Sequence, residues 1–275
     1  MKQESIKSGL SVREMMNTRM SMQIISPETA EEYLTKIHPF QRNVNKKRVD
    51  GMVRDIIGGN FLLSPDCIAF DEDGYLTNGQ HRLHACIESG IPIICGVIKN
   101  MPSKSFIVMD AGRVRSKAHA LSGFREEKVT TRAAAVCRSI CVAPSFSGDN
   151  VTNFDINAIY EKYADSFSCD FMARNVAGIT APFTAVMVLA HHSGVPESKL
   201  NRIPAVIDTL LIKEPWEITI LTFYKHFRKH KTVYSGGGSP QNAMWFLAQR
   251  IVKAVDDEEE LHAIYKNKTA YYTDK

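Results

Sequence analysis

GYLTNGQHRLHACIESGIPI, at residues 74–93, is the most informative stretch of this 275-residue chain. A short apolar segment leads through an Asn-Gly step into Gln-His-Arg, and an apolar-spaced segment then runs to Gly90. This order predicts a strand, a turn, and a helix from His81 to Ser89 that Gly90 ends. A turn requires neither His81 nor Arg82, and a hydrophobic core has little use for either, so both residues need another explanation.

The Gly-Gln-His-Arg loop at residues 79–82 has the composition of an anion-binding site. A helix N-terminus offers unpaired backbone N–H groups and the positive end of the helix dipole. Gly79 would let a ligand approach the backbone closely, and Arg82 supplies a fork of donors that matches two phosphate oxygens. We predict phosphate binding here; the alternative is that Arg82 pairs with Asp71 or Asp73 while His81 only packs.

The flanking segments predict a small α/β domain. Ser26 and Asn45 are placed to cap two helices, and the second helix carries apolar residues at helical spacing from Val49 to Ile57. In chain order we predict a strand at 22–25, a helix from Pro27 to about Ile37, a helix from Asn45 to Gly58-Gly59, a β-hairpin at 67–70 and 75–77, the helix at 81–89, a strand at 91–99, and short helices from Pro102 towards Asp110 and from Ser116 to Leu121.

The remainder of the chain is predicted to be helical. Apolar residues recur at helical spacing in 130–143, 153–173, 181–193, 198–212, 215–230 and 240–265. The acidic run DDEEE at 256–260 is interpreted as a solvated helix start. The predicted fold class is therefore α+β, with a polar arm at 1–21, a small mixed sheet with helices at 22–126, and an all-helical domain at 127–275.

Several features of the composition limit the class of protein. No run of eighteen apolar residues is present and the N-terminus lacks the apolar core of a signal peptide, so neither a membrane span nor secretion is predicted. The six cysteines form no CxxC pair, which indicates reduced thiols in a cytoplasmic protein. The histidine pairs 191–192 and 226–230 could bind a metal, but they lack evident Cys or carboxylate partners, so we predict no site at either.

Basic residues cluster in three places, although the formal net charge is only +4. The residues we predict to contact nucleic-acid phosphates are Arg42, Lys46, Lys47, Arg115, Arg228 and Lys229. The last two belong to the basic and aromatic stretch FYKHFRKHK at 223–231. The alternative for each cluster is a solvated face.

The order of a helix, Gly-Gly, a hairpin, NGQHRLHACIESGIPI and a buried strand resembles the ParB/sulfiredoxin superfamily over residues 22–120. In ParB the corresponding loop reads Gly-Glu-Arg-Arg and binds nucleotide phosphates; in sulfiredoxin it reads Gly-Cys-His-Arg and binds ATP. A QRN segment, at 41–43, precedes the second helix where partition ParB proteins carry an Asn-Pro-Arg-like element. The resemblance implies a nucleoside triphosphate, ATP or CTP, with Mg²⁺, bound through Gly79, Gln80, His81 and Arg82. Gln80 stands where sulfiredoxin has its nucleophilic Cys, which excludes sulfiredoxin activity.

A second part of the resemblance lies in FIVMDAGRVRSKAHAL, at 106–121. It occupies the place of the ParB segment that closes over the triphosphate and metal, which implies a metal ligand at Asp110 and a phosphate contact at Arg113. Met109 stands where ParB has Glu, so partition-type CTP hydrolysis is not implied. Asp110 could alternatively cap the following helix.

We therefore predict a ParB-like protein of phage or mobile-element type, in the cytoplasm of a bacterial host, that binds a nucleotide and acts on or along DNA. A homodimer is one option for its assembly. One alternative is an enzyme of the same fold, either a nuclease or a nucleotide-dependent hydrolase, kinase or other phosphoryl transferase, with Asp110 and His81 as the candidate catalytic residues. The other is a non-catalytic counter-defence or regulatory module.

Overall fold

The computed structural model describes residues 15–108, 116–143, 145–146, 151–234, 236, 238–265 and 268–274. The chain divides into two compact units, Met1–Val114 and Arg115–Lys275. The predicted boundary lay after residue 126. The division after Val114 places the helix that begins at Lys117 in the second unit. No helix in the described part of the chain is both long enough and apolar enough to cross a membrane.

The first unit contains a small mixed sheet with helices, as predicted. Its elements are β1 (Arg19–Ile25), α1 (Pro27–Leu34), α2 (Lys46–Ile57), β2 (Ile68–Asp71), β3 (Leu76–Asn78), α3 (Gln80–Ser89), β4 (Ile93–Met101) and a 3₁₀-helix (Ser103–Val108). The strand order is β1-β4-β2-β3. β4 pairs antiparallel with β1 and parallel with β2, and β2 pairs antiparallel with β3.

Local signals placed most of these elements correctly. Ser26 and Asn45 accept hydrogen bonds from backbone N–H groups of α1 and α2, and Gly90 ends α3 in the left-handed conformation. The predicted end of α1 at Ile37 is wrong. Ile37 forms a bridge with Leu76, and this pairing draws the chain out of the helix after Leu34.

The core of the first unit lies where α2 and α3 pack on the sheet. Ile25, Ile68, Leu76 and Leu83 are completely buried there. Because β3 and α3 are adjacent in the chain and both contribute to this core, the turn between them at Gly79 is held from both sides.

The described part of the second unit contains helices and no strand. Its α-helices are α4 (Lys117–Arg125), α5 (Thr131–Val142), α6 (Asn153–Lys162), α7 (Ala164–Phe167), α8 (Asp170–Ala173), α9 (Ala181–His192), α10 (Glu197–Thr209), α11 (Ile218–Lys229) and α12 (Ser239–Asp256), with 3₁₀-helices at Pro215–Glu217 and Lys231–Tyr234. α9 is buried from Pro182 to Ala190 and packs against α5 and α12. A helix that is apolar on every side is typical of a core position, so α9 is the centre of this unit.

The interpretation of the acidic run at 256–260 as a helix start is wrong. α12 ends at Asp256, and the rest of the run follows its C-terminus. Negative charge is unfavourable at that end of a helix dipole, and basic residues compensate it here. The pairs are Lys253 with Asp257 (2.6 Å), Arg250 with Glu259 (2.7 Å) and Lys199 with Glu258 (2.8 Å).

Candidate functional site

Gly79 forms the turn that carries β3 into α3. Its φ of 104° is a conformation that side chains rarely adopt, and a Cβ at this position would lie 2.9 Å from Cγ1 of Ile68. The glycine is therefore required by the backbone and by the contact with β2, which is a reason different from the predicted approach of a ligand. None of the described side chains caps the N-terminus of α3, so this helix end is open to another acceptor.

Two glutamine side chains join β3 and the 79–82 loop to the segment that precedes α2. Gln80 is 4% exposed, and its Nε2 donates a hydrogen bond to the carbonyl oxygen of Arg42 (2.7 Å). Gln41 Nε2 donates in the opposite direction to the carbonyl oxygen of Thr77 (2.7 Å). Gln80 thus has a structural role in this chain.

His81 brings the N-termini of α2 and α3 together. The backbone N–H of Asn45, which caps α2, donates to Nε2 of His81 (3.0 Å). His81 is 7% exposed, and burial, followed by the charges of Arg48, Arg42 and His84, lowers its pKa. The ring is therefore neutral at pH 7, and its Nε2 is an acceptor that cannot donate to a phosphate.

Arg82 is half-buried and bonded to the chain just before β2. Its Nη1 donates to the carbonyl oxygen of Asp66, and its Nη2 to that of Cys67 (3.0 Å). Burial lowers the pKa of Arg82, yet the guanidinium stays charged because the ordinary pKa of arginine lies far above neutral pH. Arg82 forms no ion pair with any residue that the structure describes, although the charge of Asp66 acts on it.

The alternative pairing of Arg82 with Asp71 or Asp73 is wrong. Asp71 is buried, and its Oδ1 accepts hydrogen bonds from the backbone N–H groups of Asp73 (3.1 Å) and Tyr75 (2.7 Å). Asp71 therefore holds the turn of the β2–β3 hairpin.

A cavity of about 200 Å³ lies at the meeting point of these elements. Its lining residues include Gln41, Arg42, Arg48, Ser64, Asp66, Asn78, Gly79, Gln80, His81 and Arg82. Three arginines and one acidic residue give it a positive character, and the N-termini of α2 and α3 add the positive ends of two helix dipoles. The predicted loop thus lies at a site with the electrostatics of anion binding.

Arg48 is the residue of this site that sequence reasoning missed. It lies in the first turn of α2, is exposed, and has no ion pair with the described residues. Its position three residues after the cap Asn45 was a usable signal, because a basic residue in a first helical turn is unfavourable unless an anion compensates it.

The other predicted site residues are dispersed. Asp110, Arg113 and Arg115 lie outside the described residues. Arg42 lines the cavity, and Lys47 is exposed on α2. Lys46 pairs with Asp50 (2.8 Å) and Glu88, which neutralises its charge locally.

Arg228 and Lys229 lie in the second unit, exposed at the end of α11. The Arg228 guanidinium lies 5.8 Å from the centre of the Tyr224 ring. The predicted nucleic-acid contacts therefore belong to two different units.

The fold and the cavity together define an α+β protein with a four-stranded mixed sheet and a positively charged pocket at two helix N-termini. Comparison with protein-family models, with curated proteins and with solved structures found no match. Membership of the ParB/sulfiredoxin superfamily therefore stays a prediction.

Proposed function

We propose that the first unit binds the phosphate groups of a nucleotide in the cavity at the N-termini of α2 and α3. The observation that carries the proposal is that Arg48 and Arg82 both line this cavity without an ion pair to a described residue. Arg82 is half-buried and hydrogen-bonded to two neutral carbonyls, and Arg48 is exposed, so both keep a positive charge that attracts an anion. Two such cations at one cavity favour an anionic ligand.

Phosphate is the anion that this arrangement suits best. Open N–H groups at a helix N-terminus and the fork of a guanidinium are the two kinds of donor that phosphate oxygens accept most readily. Arg82 uses two of its five N–H donors on backbone carbonyls, which leaves the others for a ligand.

The size of the cavity indicates which part of a nucleotide it holds. A volume of about 200 Å³ is below the roughly 300 Å³ at which pockets for whole drug-sized molecules begin. The phosphate groups would enter while the sugar and base lie outside. Either ATP or CTP fits this description, and Mg²⁺ would be held mainly by the phosphates themselves.

We extend the proposal to the function that the sequence resemblance implies: a ParB-like protein of phage or mobile-element type that binds a nucleotide and acts on or along DNA. It is supported by the position of the 79–82 loop at the cavity, and by the hydrogen bonds between this loop and the segment before α2. The proposal is limited to binding: Nε2 of His81 already accepts the Asn45 N–H, and Asp110 lies outside the described residues.

Arg48→Ala tests the proposal. The side chain is exposed, so its removal leaves the core intact while it takes one cation from the cavity. Loss of a charge-assisted hydrogen bond should weaken binding by about 2 kcal/mol, or roughly thirtyfold in Kd. Isothermal titration of ATP and CTP, with and without Mg²⁺, measures this change.

Arg54→Ala is the matched control, because Arg54 is an exposed arginine of the same helix that does not line the cavity. Its nucleotide affinity should equal that of the wild type. Absence of nucleotide binding by the wild-type protein, or equal affinity in Arg48→Ala and the wild type, would show that the cavity is not a phosphate site.

A further inference from the structure

Three side chains from the ends of three different helices meet in the second unit. Cys169 precedes α8, His191 is the penultimate residue of α9, and Glu197 begins α10. One ligand atom from each lies within 4.8 Å of the other two, and Cys169 Sγ is 3.7 Å from Nε2 of His191. The predicted absence of Cys and carboxylate partners at the 191–192 pair is therefore wrong for His191.

His191 has its ring orientation fixed by Ser166. The Ser166 hydroxyl is 2% exposed and lies 2.8 Å from Nδ1 of His191 and 3.4 Å from the carbonyl oxygen of Val188. A carbonyl can only accept, so in the tautomer in which the hydroxyl donates to Val188 it accepts from Nδ1–H. The lone pair of His191 is then on Nε2, the nitrogen that is nearer to the sulfur of Cys169.

Glu197 is oriented in a similar way. Its Oε1 accepts hydrogen bonds from the backbone N–H of Asp170 (3.1 Å) and from Nδ2 of Asn201 (3.1 Å). These two bonds hold the carboxylate in one orientation. A carboxylate has about four lone-pair sites, and two remain beyond these bonds.

We propose that Cys169 Sγ, His191 Nε2 and a carboxylate oxygen of Glu197 bind a zinc ion. With bonds of about 2.3 Å to sulfur and about 2.05 Å to nitrogen, a tetrahedral zinc ion separates the two ligand atoms by about 3.6 Å. The separation of 3.7 Å between Sγ and Nε2 matches that value. Three protein ligands leave a fourth position for water, the arrangement of an open zinc site.

The hydrogen bonds around the cluster suit a metal site. Metal-binding histidines usually donate their second ring N–H to a fixed acceptor, and ligating carboxylates are themselves hydrogen-bonded. Ser166 and the Asp170 amide fill these two positions. Binding converts the Cys169 thiol to a thiolate, and its proton is released to solvent.

Metal binding by the full-length protein tests the proposal. We expect purified, metal-free protein to take up one Zn²⁺ per chain, measured by elemental analysis after dialysis. Co²⁺ in place of Zn²⁺ should give a thiolate-to-cobalt charge-transfer band, and Cys169→Ser should abolish it. Glu197→Gln should weaken Zn²⁺ binding at least about tenfold, since even loss of a supporting hydrogen bond has that effect.

His192→Gln and Cys141→Ser are the controls, because they remove an adjacent exposed imidazole and a half-buried thiol outside the cluster. Both should bind Zn²⁺ as the wild type does. If Cys169→Ser does not fold, Glu197→Gln decides, since its amide oxygen can still accept the Asp170 N–H. Failure of the wild type to retain Zn²⁺, or wild-type affinity in the folded Glu197→Gln protein, would overturn the proposal and leave a Cys–His hydrogen bond in its place.

Discussion

Two separate constraints require a glycine at position 79. Its φ of 104° is strained for any residue with a Cβ, and that Cβ would lie 2.9 Å from Ile68 Cγ1 and 3.1 Å from Ile68 Cα. Gly79→Ala should therefore lower the free energy of unfolding by about 3 kcal/mol, the sum of backbone strain and a forced shift of a buried strand. Urea denaturation of the two proteins measures the difference.

Gly90→Ala separates the two constraints. Gly90 has a φ of 68°, but a Cβ there would meet no described atom within 4 Å. This variant should lose only about 1 kcal/mol, the cost of the left-handed backbone alone. Equal losses in the two variants would mean that the contact with Ile68 is unimportant.

The residue types next to Gly79 predict hydrogen-bond donors but do not identify their partners. The order Gly-Gln-His-Arg predicted a cluster of donors, and the position of the loop at a positive cavity agrees with this. The roles of Gln80 and His81 could not be predicted, because their partners, the Arg42 carbonyl and the Asn45 N–H, come from a distant segment. Arg82 likewise bonds to backbone carbonyls that no sequence pattern identifies.

At the scale of elements, signals within a segment predicted the helices correctly, whereas contacts between distant segments could not be predicted. The cap at Asn45 and the apolar spacing from Val49 to Ile57 lie within α2 itself, and α2 forms as predicted. The end of α1 depends on the bridge between Ile37 and Leu76, which is a tertiary contact. The helical spacing of apolar residues in 240–265 is not one continuous helix, since α12 ends at Asp256 and Glu259 pairs back onto Arg250.

The connection between α10 and α11 depends on a buried carboxylate. Glu217 is fully buried, and its Oε2 accepts hydrogen bonds from Nη2 of Arg202 (2.9 Å) and from the backbone N–H of Lys213 (2.6 Å). Burial alone would raise the pKa of Glu217, but Arg202 and the backbone amides outweigh it, so the pKa is lowered. Glu217→Gln should reduce the free energy of unfolding at pH 7 by about 2 kcal/mol.

Because folding lowers the pKa of Glu217, the effect of Glu217→Gln depends on pH. A carboxylate whose pKa is lowered by folding contributes its full stability above its unfolded pKa of about 4.3, and loses it as the pH falls through the folded value. The gap between wild type and Glu217→Gln should therefore be constant from pH 6 to 7 and shrink below about pH 4. Glu127→Gln removes an exposed partner of Arg125 and should change stability by less than about 1 kcal/mol. A gap for Glu217→Gln that widens in acid would contradict the assignment.

At the scale of the whole molecule, the cluster of proposed zinc ligands could not be predicted from the sequence. The division into a mixed α/β part and a helical part follows from patterns of period two and 3.6, which are properties of short segments. The meeting of Cys169, His191 and Glu197 follows from the packing of three helix ends. No spacing rule predicts it, because the three residues come from different elements.

The charge distribution of the whole molecule leads to the last prediction. If the protein acts on DNA as proposed, binding should weaken steeply with salt, because each phosphate contact releases counterions. Arg228→Ala and Lys229→Ala should each reduce the slope of log Kd against log salt concentration by about one, since each removes an exposed cation of α11. Lys46→Ala should have little effect, because Asp50 and Glu88 already balance its charge. Fluorescence anisotropy with duplex and single-stranded DNA over a salt series measures all four proteins. Equal losses in Lys46→Ala and Lys229→Ala would place a DNA contact on α2 as well, whereas no binding to either DNA at low salt would reject DNA as the partner.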